Sequence, residues 1–387
     1  MLRNKAIIAG AADSDVGRTP HMSGLALNAQ AAQRALDDAG LSLSDVDGLI
    51  TAYSMTEPYF MLGSVLAEYL GIAPSFCASL TVGGATPGVA LHQAAMAVAT
   101  GEAKVVLITV GENRATGQSR DDAIKALSHV GHPAFEMPYG PIVPSFYALI
   151  AQRYMHAYGT TREQMAHVAV AARDHARRNP AAPPADPISV EDVLASKPIS
   201  SPLNLLDCCL ISDAASAIVV TAPDHAPDLP NSPAWLLGIG QCHTHEHATM
   251  AGDLTEFGSA RSGAAAYEMA GLGPADVDFA ELYDCFTIVP IIEAEELGLA
   301  AKGEGGHLFE SGESRIGGRC PINTHGGLLS YAQAGASGGM HAIVEAVRQL
   351  RGTEGLRQVA KHDIALVHTE GGVLSSHVTM ILGRGAH

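Results

Sequence analysis

One stretch of the chain occurs twice and decides how the chain folds. Residues 39–47 read Ala39-Gly40-Leu41-Ser42-Leu43-Ser44-Asp45-Val46-Asp47, and they return as Ala270-Gly271-Leu272-Gly273-Pro274-Ala275-Asp276-Val277-Asp278. A second pair follows in the same order. Residues 84–88 (Gly-Ala-Thr-Pro-Gly) match residues 335–339 (Gly-Ala-Ser-Gly-Gly), and each is predicted to open a helix that ends at Gly101 or Gly352. Two matches in the same order indicate a duplicated unit.

The two copies carry different insertions. The first pair is offset by 231 residues and the second by 251, so the second half is longer, and Gly303–Thr324 is its predicted insertion. The first half has an insertion from about residue 113 to 207, with helices predicted at Ser145–Tyr158 and Thr161–Arg178, which we expect to cover the mouth of a site. Four prolines within residues 223–233 predict a boundary between halves 1–225 and 226–387.

Helices with one apolar face alternate with short apolar runs. Leu25, Ala29, Ala32 and Leu36 recur at helical spacing. Runs rich in valine and isoleucine, such as residues 105–110 and 364–367, are typical of strands buried on both faces. The sequence therefore predicts an α/β protein with mixed, mostly parallel sheets.

Composition excludes several classes of function. Lys and Arg number 23 against 40 Asp and Glu, a net charge of −17, which argues against binding nucleic acid because the phosphate backbone needs clustered cations. No run is long and apolar enough to predict a membrane span. Six cysteines in 387 residues form no disulfide framework, so we expect a cytoplasmic protein.

Four further stretches carry a resemblance to a known family. They are Leu206–Cys209 (Leu-Asp-Cys-Cys), Leu282–Thr287 (Leu-Tyr-Asp-Cys-Phe-Thr), Pro321–Gly327 (Pro-Ile-Asn-Thr-His-Gly-Gly) and Gln349–Gly352 (Gln-Leu-Arg-Gly). Together with the two glycine-led helices, they resemble the thiolase superfamily, in particular its sterol-carrier-protein (lipid-transfer) branch. The resemblance covers essentially the whole chain. It implies a duplicated αβαβα fold of five layers, a homodimer and an acyl-CoA substrate.

The departures from the family pattern concern its catalytic groups. Thiolases place a nucleophilic cysteine at the start of the first glycine-led helix, where the helix dipole stabilises a thiolate. Here that place holds Gly84 or Ala85. The family's other catalytic positions fall at Ala332, Tyr283 and His368. An acyl-enzyme cannot form without a nucleophile, so ordinary thiolysis is not expected.

One thiolase-like subfamily resembles the remaining pattern, namely the steroid side-chain retro-aldolases, which pair with an OB-fold, zinc-bearing (DUF35) protein. Their Leu-Tyr-Asp-x-Phe-Thr motif matches residues 282–287, and Asn-Thr-His-Gly-Gly matches residues 323–327. They also use a second tyrosine further on, for which Tyr331 stands about two residues out of register. The resemblance implies retro-aldol cleavage of a β-hydroxyacyl-CoA, with a steroid side chain as one substrate, to a ketone and a short acyl-CoA.

This chemistry assigns roles to a few residues. Tyr283 would take the hydroxyl proton, provided that its pKa is lowered from about 10. Tyr331 would return a proton to the enolate carbon, and His325 is a candidate donor beside them. Backbone N–H groups at a helix start can hold an enolate oxygen. The predicted oxyanion residues are Gly84, Ala85, Gly371 and Gly372. No covalently bound cofactor and no metal is expected, and the CoA thioester is the substrate.

Three other interpretations stay open. The chain could be an acyl-CoA acyltransferase of the lipid-transfer branch that uses an atypical cysteine, or a non-catalytic subunit that binds acyl-CoA. Residues 335–339 also fit the Gly-x-Ser-x-Gly pattern of serine hydrolases, with Asp363 and His368 downstream. The run containing His243, His245 and His247 has metal-ligand residue types, but it lacks a second ligand pair, which favours a solvated loop.

Overall fold

The protein is described by a computed structural model that covers residues 2–128 and 130–386. The strands are β1 (Ile7–Asp13), β2 (Gly48–Ala52), β3 (Phe76–Leu80), β4 (Val105–Asn113), β5 (Pro198–Ser200), β6 (Leu203–Asn204), β7 (Asp213–Thr221), β8 (Ala234–His243), β9 (Phe279–Glu281), β10 (Ile364–Gly371) and β11 (Ser376–Gly383). The helices are α1 (Gly24–Ala39), α2 (Leu62–Leu70), α3 (Thr86–Thr100), α4 (Arg120–Ser128), α5 (Val143–Tyr158), α6 (Arg162–Ala176), α7 (Val190–Ala195), α8 (Ser259–Ala270), α9 (Ile288–Glu296), α10 (Gly305–Glu310), α11 (Gly327–Ser330) and α12 (Gly338–Arg351).

Local sequence signals set the ends of the repeated helices. Ser23 caps α1 by accepting a hydrogen bond from the Ala26 N–H at 3.1 Å. The helix ends at Gly40 with φ 68°, and its counterpart α8 ends at Gly271 with φ 67°. A left-handed residue at this position favours glycine because glycine has no Cβ to clash. The repeated Ala-Gly-Leu therefore marks the same helix end in both halves.

The two halves repeat one strand order, which confirms the predicted duplication. Hydrogen bonding runs β3-β2-β4-β7-β1 in the first half and continues as β8-β11-β10-β9 in the second. A bridge between Ala280 and Ile322 puts a short extended piece beyond β9, in the place that β3 has in the first half. The halves join through a short antiparallel pairing of β1 with β8.

Strand direction is mixed, as predicted, with a detail that the sequence did not indicate. β2 pairs in parallel with β3 and β4, and β9 pairs in parallel with β10. β7 runs against both β4 and β1, and β11 runs against both β10 and β8. One reversed strand within each half therefore makes the pairings on both of its sides antiparallel.

Helices and half-sheets stack in five layers, as the resemblance implied. α1 packs on β1, β4 and β7, while α8 packs on β8 and β11 at the opposite face of the molecule. Between the half-sheets lie α3 and α12, whose apolar side chains share one buried cluster with residues from both halves. The two glycine-led helices α3 and α12 are thus central, and the repeated helices α1 and α8 lie on the outer sides of the half-sheets.

The first insertion packs on the second half. Phe146, Tyr147 and Tyr154 of α5 belong to the buried cluster around β9 and α9. Helix α6 contacts α10 of the other insertion and also α11. A helix from residues 113–207 is thereby held against the motif residues of the second half. Within the described residues, no helix has the length and apolar character needed to cross a membrane.

Candidate active site

The four motif stretches meet around the end of β9. Backbone pairing joins Cys208 to Phe286 across an antiparallel bridge. The side-chain bonds that tie the stretches together are Thr287 Oγ1 to Asp207 Oδ1 (2.8 Å), Leu282 N to Asn323 Oδ1 (2.7 Å) and Gln349 Nε2 to Thr324 Oγ1 (3.1 Å). Residues that are far apart in sequence are therefore joined in one continuous, buried hydrogen-bonded cluster.

Two glycine pairs, Gly83–Gly84 and Gly371–Gly372, contact each other next to these motif residues. A Cβ atom on Gly83 would lie 2.8 Å from the nitrogen of Gly372, and one on Gly371 would lie 2.1 Å from the oxygen of Val82. Both distances are too short for a real side chain, so only glycine lets the loop before α3 approach the turn after β10. The structure thus brings together all the predicted oxyanion residues, namely Gly84, Ala85, Gly371 and Gly372.

The hydroxyl of Tyr283 lies at the start of α3. A Cβ atom on Gly84 would be 2.1 Å from Tyr283 Oη, so this hydroxyl occupies the space that a side chain at residue 84 would take. Gln333 Nε2 donates a hydrogen bond to Tyr283 Oη at 3.3 Å. Tyr283 is 6% exposed, whereas Gly84, Gln333 and Gly372 are half-buried. The site therefore opens toward solvent past these three residues.

The role of Tyr283 as a base carried the condition that its pKa is lowered, and the free protein does not meet this condition. Burial, together with the charges of Cys285 and Glu370, raises the pKa of Tyr283 well above its ordinary value, and the hydrogen bond from Gln333 offsets this only in part. Tyr283 is consequently a neutral phenol in the free protein. It can donate a proton, and it can accept one only if its own proton moves on to another group.

Glu370 is a buried residue whose charge contributes to the raised pKa of Tyr283. Its oxygens lie 3.1 and 3.0 Å from the hydroxyl of Tyr147, and Oε1 accepts a hydrogen bond from the Leu374 N–H at 2.6 Å. Cys285 Sγ lies 3.8 Å from Glu370 Oε2. In the described part of the chain no cation forms an ion pair with Glu370, so burial raises the pKa of its carboxyl to about 8.

A second buried acid lies behind the backbone of Tyr283. Glu293 Oε2 accepts a hydrogen bond from the Tyr283 N–H at 2.9 Å. Burial and the charge of Glu370 raise the pKa of Glu293 well above its ordinary value. This carboxyl supports the Tyr283 backbone through that hydrogen bond.

Tyr331 lies in a different environment. It is 1% exposed, and its hydroxyl donates to Asp13 Oδ2 at 3.1 Å. Its ring makes edge-on contacts with His325 and His341. Burial and the charge of Asp13 raise the pKa of Tyr331 well above its ordinary value. The structure therefore does not join Tyr331 to Tyr283, and this geometry offers no support for its predicted role at the enolate.

His325 belongs to a buried ionic network. Its Nδ1 lies 2.9 Å from Glu281 Oε2, and it is 3% exposed. Burial lowers the pKa of His325, but Glu281 and Glu345 outweigh that effect and raise the pKa overall. Its backbone carbonyl accepts from Asn179 Nδ2 at 3.0 Å. The residue holds the Asn-Thr-His-Gly-Gly loop in place, and the structure shows no contact between it and Tyr283.

The predicted oxyanion residues differ in whether their backbone N–H groups already donate a hydrogen bond within the protein. The Ala85 N–H already donates to Val82 O at 3.2 Å within the loop. In residues 2–128 and 130–386, the N–H groups of Gly84 and Gly372 form no hydrogen bond with another protein group. These two donors are therefore the ones that can hold an oxygen of a bound molecule.

No cysteine occupies the start of α3. Burial and the charge of Glu370 raise the pKa of the Cys285 thiol well above its ordinary value, and burial raises that of Cys209 to about 12. Neutral thiols are poor nucleophiles. The serine-hydrolase interpretation also lacks its geometry, because Ser337 Oγ donates to Ala334 O while His368 bonds to Thr379 and His377.

The histidine run is spread over a loop. His245 Nε2 lies near Val373 O and His247 Nδ1 near Val130 O, at 3.3 and 3.1 Å. Among the described residues, no group of three or more histidine, cysteine or acidic side chains is arranged to hold a metal ion.

Sequence reasoning missed three residues of the site. Gln333 stands two residues after Tyr331, so the register mismatch noted in the motif was a usable signal for it. Glu370 directly precedes the predicted oxyanion pair Gly371 and Gly372, but nothing local shows that it is buried. Tyr147 lies in the insertion, and no sequence pattern links it to the second half.

Two family models cover most of the chain. The model described as Thiolase, N-terminal domain, matches residues 6–197, and the model described as Thiolase C-terminal domain-like matches residues 240–384.

Full-length relatives carry two kinds of activity in their names. The 17-hydroxy-3-oxo-4-pregnene-20-carboxyl-CoA lyase of Mycobacterium tuberculosis is 38% identical, over 99% of this chain and 100% of the relative. The acetyl-CoA acetyltransferase of Methanothermobacter thermautotrophicus is 33% identical over the same shares, 99% and 100%. A solved structure named Ltp2-ChsH2(DUF35) aldolase superposes with a TM-score of 0.87 and 37% identity, covering 99% of this chain and 98% of that chain.

Proposed function

The chain belongs to the thiolase family, and we propose that it is a carbon–carbon lyase of that family which cleaves β-hydroxyacyl-CoA thioesters by a retro-aldol reaction. The products are a ketone and a short acyl-CoA. The names of two of the relatives, a steroid carboxyl-CoA lyase and an aldolase, support this reaction class and a steroid side chain as the substrate.

The observation that carries the proposal is the position of the Tyr283 hydroxyl. It fills the space beside Gly84 at the start of α3, where a thiolase would hold its nucleophilic sulfur. A phenol there can exchange a proton with a substrate hydroxyl but cannot form a thioester. Retro-aldol cleavage needs proton exchange and no covalent intermediate, so the groups present suffice.

Each group of site residues has a separate role in the proposed reaction. Tyr283 takes part in removing the proton from the β-hydroxyl, and its own position is set by Gln333 Nε2 and by Glu293 behind its backbone. The N–H groups of Gly84 and Gly372 stabilise the thioester enolate. Donors arranged in advance around a developing oxyanion are worth several kcal/mol, about 3–4 for a single donor in favourable cases.

The acyltransferase alternative requires a thiolate that this site disfavours. The thiol of Cys285, two residues after Tyr283, is buried against Glu370 and has a raised pKa. A carboxylate beside a sulfur opposes its ionisation. We therefore propose that Cys285 packs the site and takes no acyl group.

Two assembly proposals accompany the activity. Among the described strands, β3 is the last of the sheet and pairs only with β2, and it exposes Cys77 and Ser79. The exposed side chains of Phe60 and Met61 lie just before α2, which packs on β3. An open, partly apolar edge is a template for pairing, so we propose a homodimer through β3. The named structural relative contains a DUF35 component, which supports an OB-fold, zinc-bearing partner.

All six cysteines are free. This supports our proposal of a cytoplasmic, reducing location.

Dimerisation is checked by sedimentation of the wild type and of Cys77→Lys, because a charge on the edge strand opposes pairing. A wild-type monomer would contradict the β3 interface.

The activity test offers 3-hydroxyacyl-CoA thioesters, including steroid ones, to the purified chain alone and co-expressed with an OB-fold DUF35 protein. We expect a ketone and a shorter acyl-CoA in equal amounts, with a rate that does not depend on added free CoA. Cys285→Ser should keep most of that rate. A product that forms only when free CoA is supplied, or a rate abolished by Cys285→Ser, would instead establish acyl transfer.

A further inference from the structure

The side chain of Gln333 lies between the starts of the two glycine-led helices. Its Nε2 donates a hydrogen bond to Tyr283 Oη at 3.3 Å, beside Gly84 at the start of α3. Its Oε1 lies next to Gly338, the first residue of α12, where a Cβ atom would be 2.7 Å from that oxygen. A real Cβ atom does not come this close, so residue 338 has to be glycine for the amide to lie there. One carboxamide therefore contacts the starts of both helices.

The orientation of this amide follows from the helix beside it. The N-terminus of a helix carries a partial positive charge, which favours a carbonyl oxygen over an NH2 group. Oε1 lies at the N-terminus of α12, so Nε2 points the other way, toward Tyr283. The backbone of Gln333 is also held, because its carbonyl oxygen accepts from the Ser212 N–H at 3.0 Å and its own N–H donates to Ser212 Oγ at 3.4 Å. The amide is therefore fixed in direction before any substrate binds.

The oxygen end of the amide makes no hydrogen bond. Oε1 is buried and accepts no hydrogen bond from any residue in 2–128 or 130–386. Buried polar atoms without a partner are rare in folded proteins, and each one calls for an explanation. Placing Oε1 at the α12 start directs Nε2 into the site. We therefore look for the role of Gln333 at its nitrogen.

One N–H of this nitrogen has no acceptor. An amide nitrogen carries two hydrogens, and in the described part of the chain Gln333 Nε2 donates only to Tyr283 Oη. Gln333 is half-buried, and the site opens to solvent beside it. The backbone N–H groups of Gly84 and Gly372 also have no acceptor among these residues. Three neutral donors therefore lie around the opening next to the Tyr283 hydroxyl.

The shape of an amide decides which substrate oxygen the free N–H reaches. The two hydrogens of a planar NH2 group diverge, so the second one points away from the atom that the first one contacts. When the β-hydroxyl of a substrate lies against Tyr283 Oη, the free N–H of Gln333 faces the other oxygen of the reacting group, that of the thioester carbonyl. This oxygen becomes negative when the Cα–Cβ bond breaks.

We propose that Gln333 is a catalytic residue whose side-chain N–H donates a hydrogen bond to the thioester oxygen as the enolate forms. This inference rests on the proposed lyase function, and it adds a third donor to the N–H groups of Gly84 and Gly372. A donor that is fixed before the reaction needs no reorganisation when the charge develops. Gln333, rather than Tyr331, is thus the second side chain at the reacting atoms.

The first test is steady-state cleavage by Gln333→Met, which keeps the length of the side chain and removes its N–H donors. Loss of one preorganised donor to an oxyanion costs about 10²- to 10³-fold in kcat. We expect a loss of that size with little change in KM, because the oxygen carries more charge in the transition state than in the bound substrate. A folded Gln333→Met with kcat near the wild-type value overturns the proposal.

Gln241→Met is the matched control. Gln241 on β8 is also half-buried, and its amide contacts two imidazoles outside the site, those of His92 at 2.6 Å and His243 at 3.1 Å. This variant should keep the kcat and KM of the wild type. Circular dichroism and thermal midpoints of both variants show whether they are folded.

The second test needs no cleavage and separates this inference from the lyase function. Butanoyl-CoA has the thioester oxygen but no β-hydroxyl, so it cannot undergo the retro-aldol reaction. With an isotope-labelled carbonyl, its infrared C=O band should move to lower frequency on saturating the wild type, because hydrogen bonds weaken the C=O bond. In Gln333→Met the band should lie closer to its position in free butanoyl-CoA.

The outcomes of this second test are distinct from those of the activity test. A band shift that depends on Gln333 supports its role at the thioester oxygen even if no hydroxyacyl-CoA is cleaved. A band that stays unshifted in the wild type, or that shifts equally in Gln333→Met, overturns the role of Gln333 and leaves an observed cleavage standing.

Discussion

Two of the buried tyrosine–carboxylate pairs of this molecule, Tyr331–Asp13 and Tyr147–Glu370, differ in one respect. Asp13, the partner of Tyr331, is paired with Arg348 Nη1 at 2.8 Å and with His341 Nδ1 at 2.9 Å. Although burial acts the other way, Arg348 and His341 hold the pKa of Asp13 well below its usual range. Glu370, the partner of Tyr147, forms no ion pair with a cation among the described residues, and burial raises its pKa to about 8.

The presence or absence of a neighbouring cation separates a buried pair that stays charged from a buried pair that can titrate. A carboxylate that is matched by cations stays ionised at every physiological pH and only holds its neighbours together. A carboxylate that is matched only by neutral donors sits near its protonation midpoint and can carry protons. Nothing in the sequence distinguishes Tyr331 from Tyr147. The difference lies in the charged groups around their carboxylate partners, Asp13 and Glu370.

The largest expected contrast is between the two tyrosines in the motif region. Tyr283→Phe should lower kcat by about 10²- to 10⁴-fold, the usual worth of a positioned acid or base. Tyr331→Phe should keep kcat within about threefold and cost about 1 kcal/mol of stability, since it removes one buried hydrogen bond. Steady-state kinetics and urea unfolding of both variants check this. Near-normal activity of Tyr283→Phe would contradict its assignment.

The next contrast concerns the cation-matched pair. Asp13→Asn should lower the free energy of unfolding by about 2–4 kcal/mol, because it leaves Arg348 and His341 without their carboxylate. The stability that Asp13 contributes should be present above its ordinary pKa of 3.8 and be lost as the pH falls below that value. Urea unfolding across pH 3 to 8 measures both effects. An acid limb that Asp13→Asn leaves unchanged would show that the pair does not act in this way.

A smaller effect is expected from one added methyl group. Gly84→Ala places a Cβ where the Tyr283 hydroxyl lies, 2.1 Å away, and should displace that hydroxyl. A shift of about 1 Å at a reacting group costs on the order of 10²-fold in rate. Gly252→Ala is the control, because a Cβ there has nothing within 4 Å. Equal rates for the two variants would place the Tyr283 hydroxyl outside the reaction.

The smallest effect concerns the stability of the Tyr147–Glu370 pair. The folded protein holds a proton on Glu370 that the unfolded chain releases above its ordinary pKa of 4.5, so the group's contribution to stability falls as pH rises from 4.5 to about 8. Glu370→Gln should therefore gain thermal stability over the wild type at pH 9 and gain less at pH 5. Scanning calorimetry at both values measures the difference. A gain of equal size at both would contradict a titrating Glu370.

Much of the fold could be predicted because its signals are local or repeated. The repeated Ala-Gly-Leu marks a helix end at Gly40 and again at Gly271, and the Gly-rich starts of α3 and α12 recur at the centre of the molecule. The reversed strands β7 and β11 were not predicted. A buried strand has the same apolar composition whichever way it runs.

The candidate site could be predicted only in part. The motif around Tyr283 and the glycine pairs indicated which segments would meet, and the structure places them in contact. The lowered pKa that a basic Tyr283 requires is not present in the free protein, because burial and the charges of Cys285 and Glu370 raise the pKa of Tyr283, and no motif marks Glu370 as buried. Gln333 was obscured by Tyr331, which has the expected residue type two positions earlier.

The sequence by itself determined the duplicated α/β architecture, the loss of the thiolase nucleophile and the presence of a phenol in the retained motif. These are matters of period and residue type, which a linear chain displays directly. The tertiary structure alone decided which carboxylate acts on the pKa of the phenol and which helix of the insertion supplies Tyr147. It also decided which tyrosine–carboxylate pair is matched by a cation among the described residues. Those are distances across the fold, and the charge environment that sets a pKa acts through space rather than along the chain.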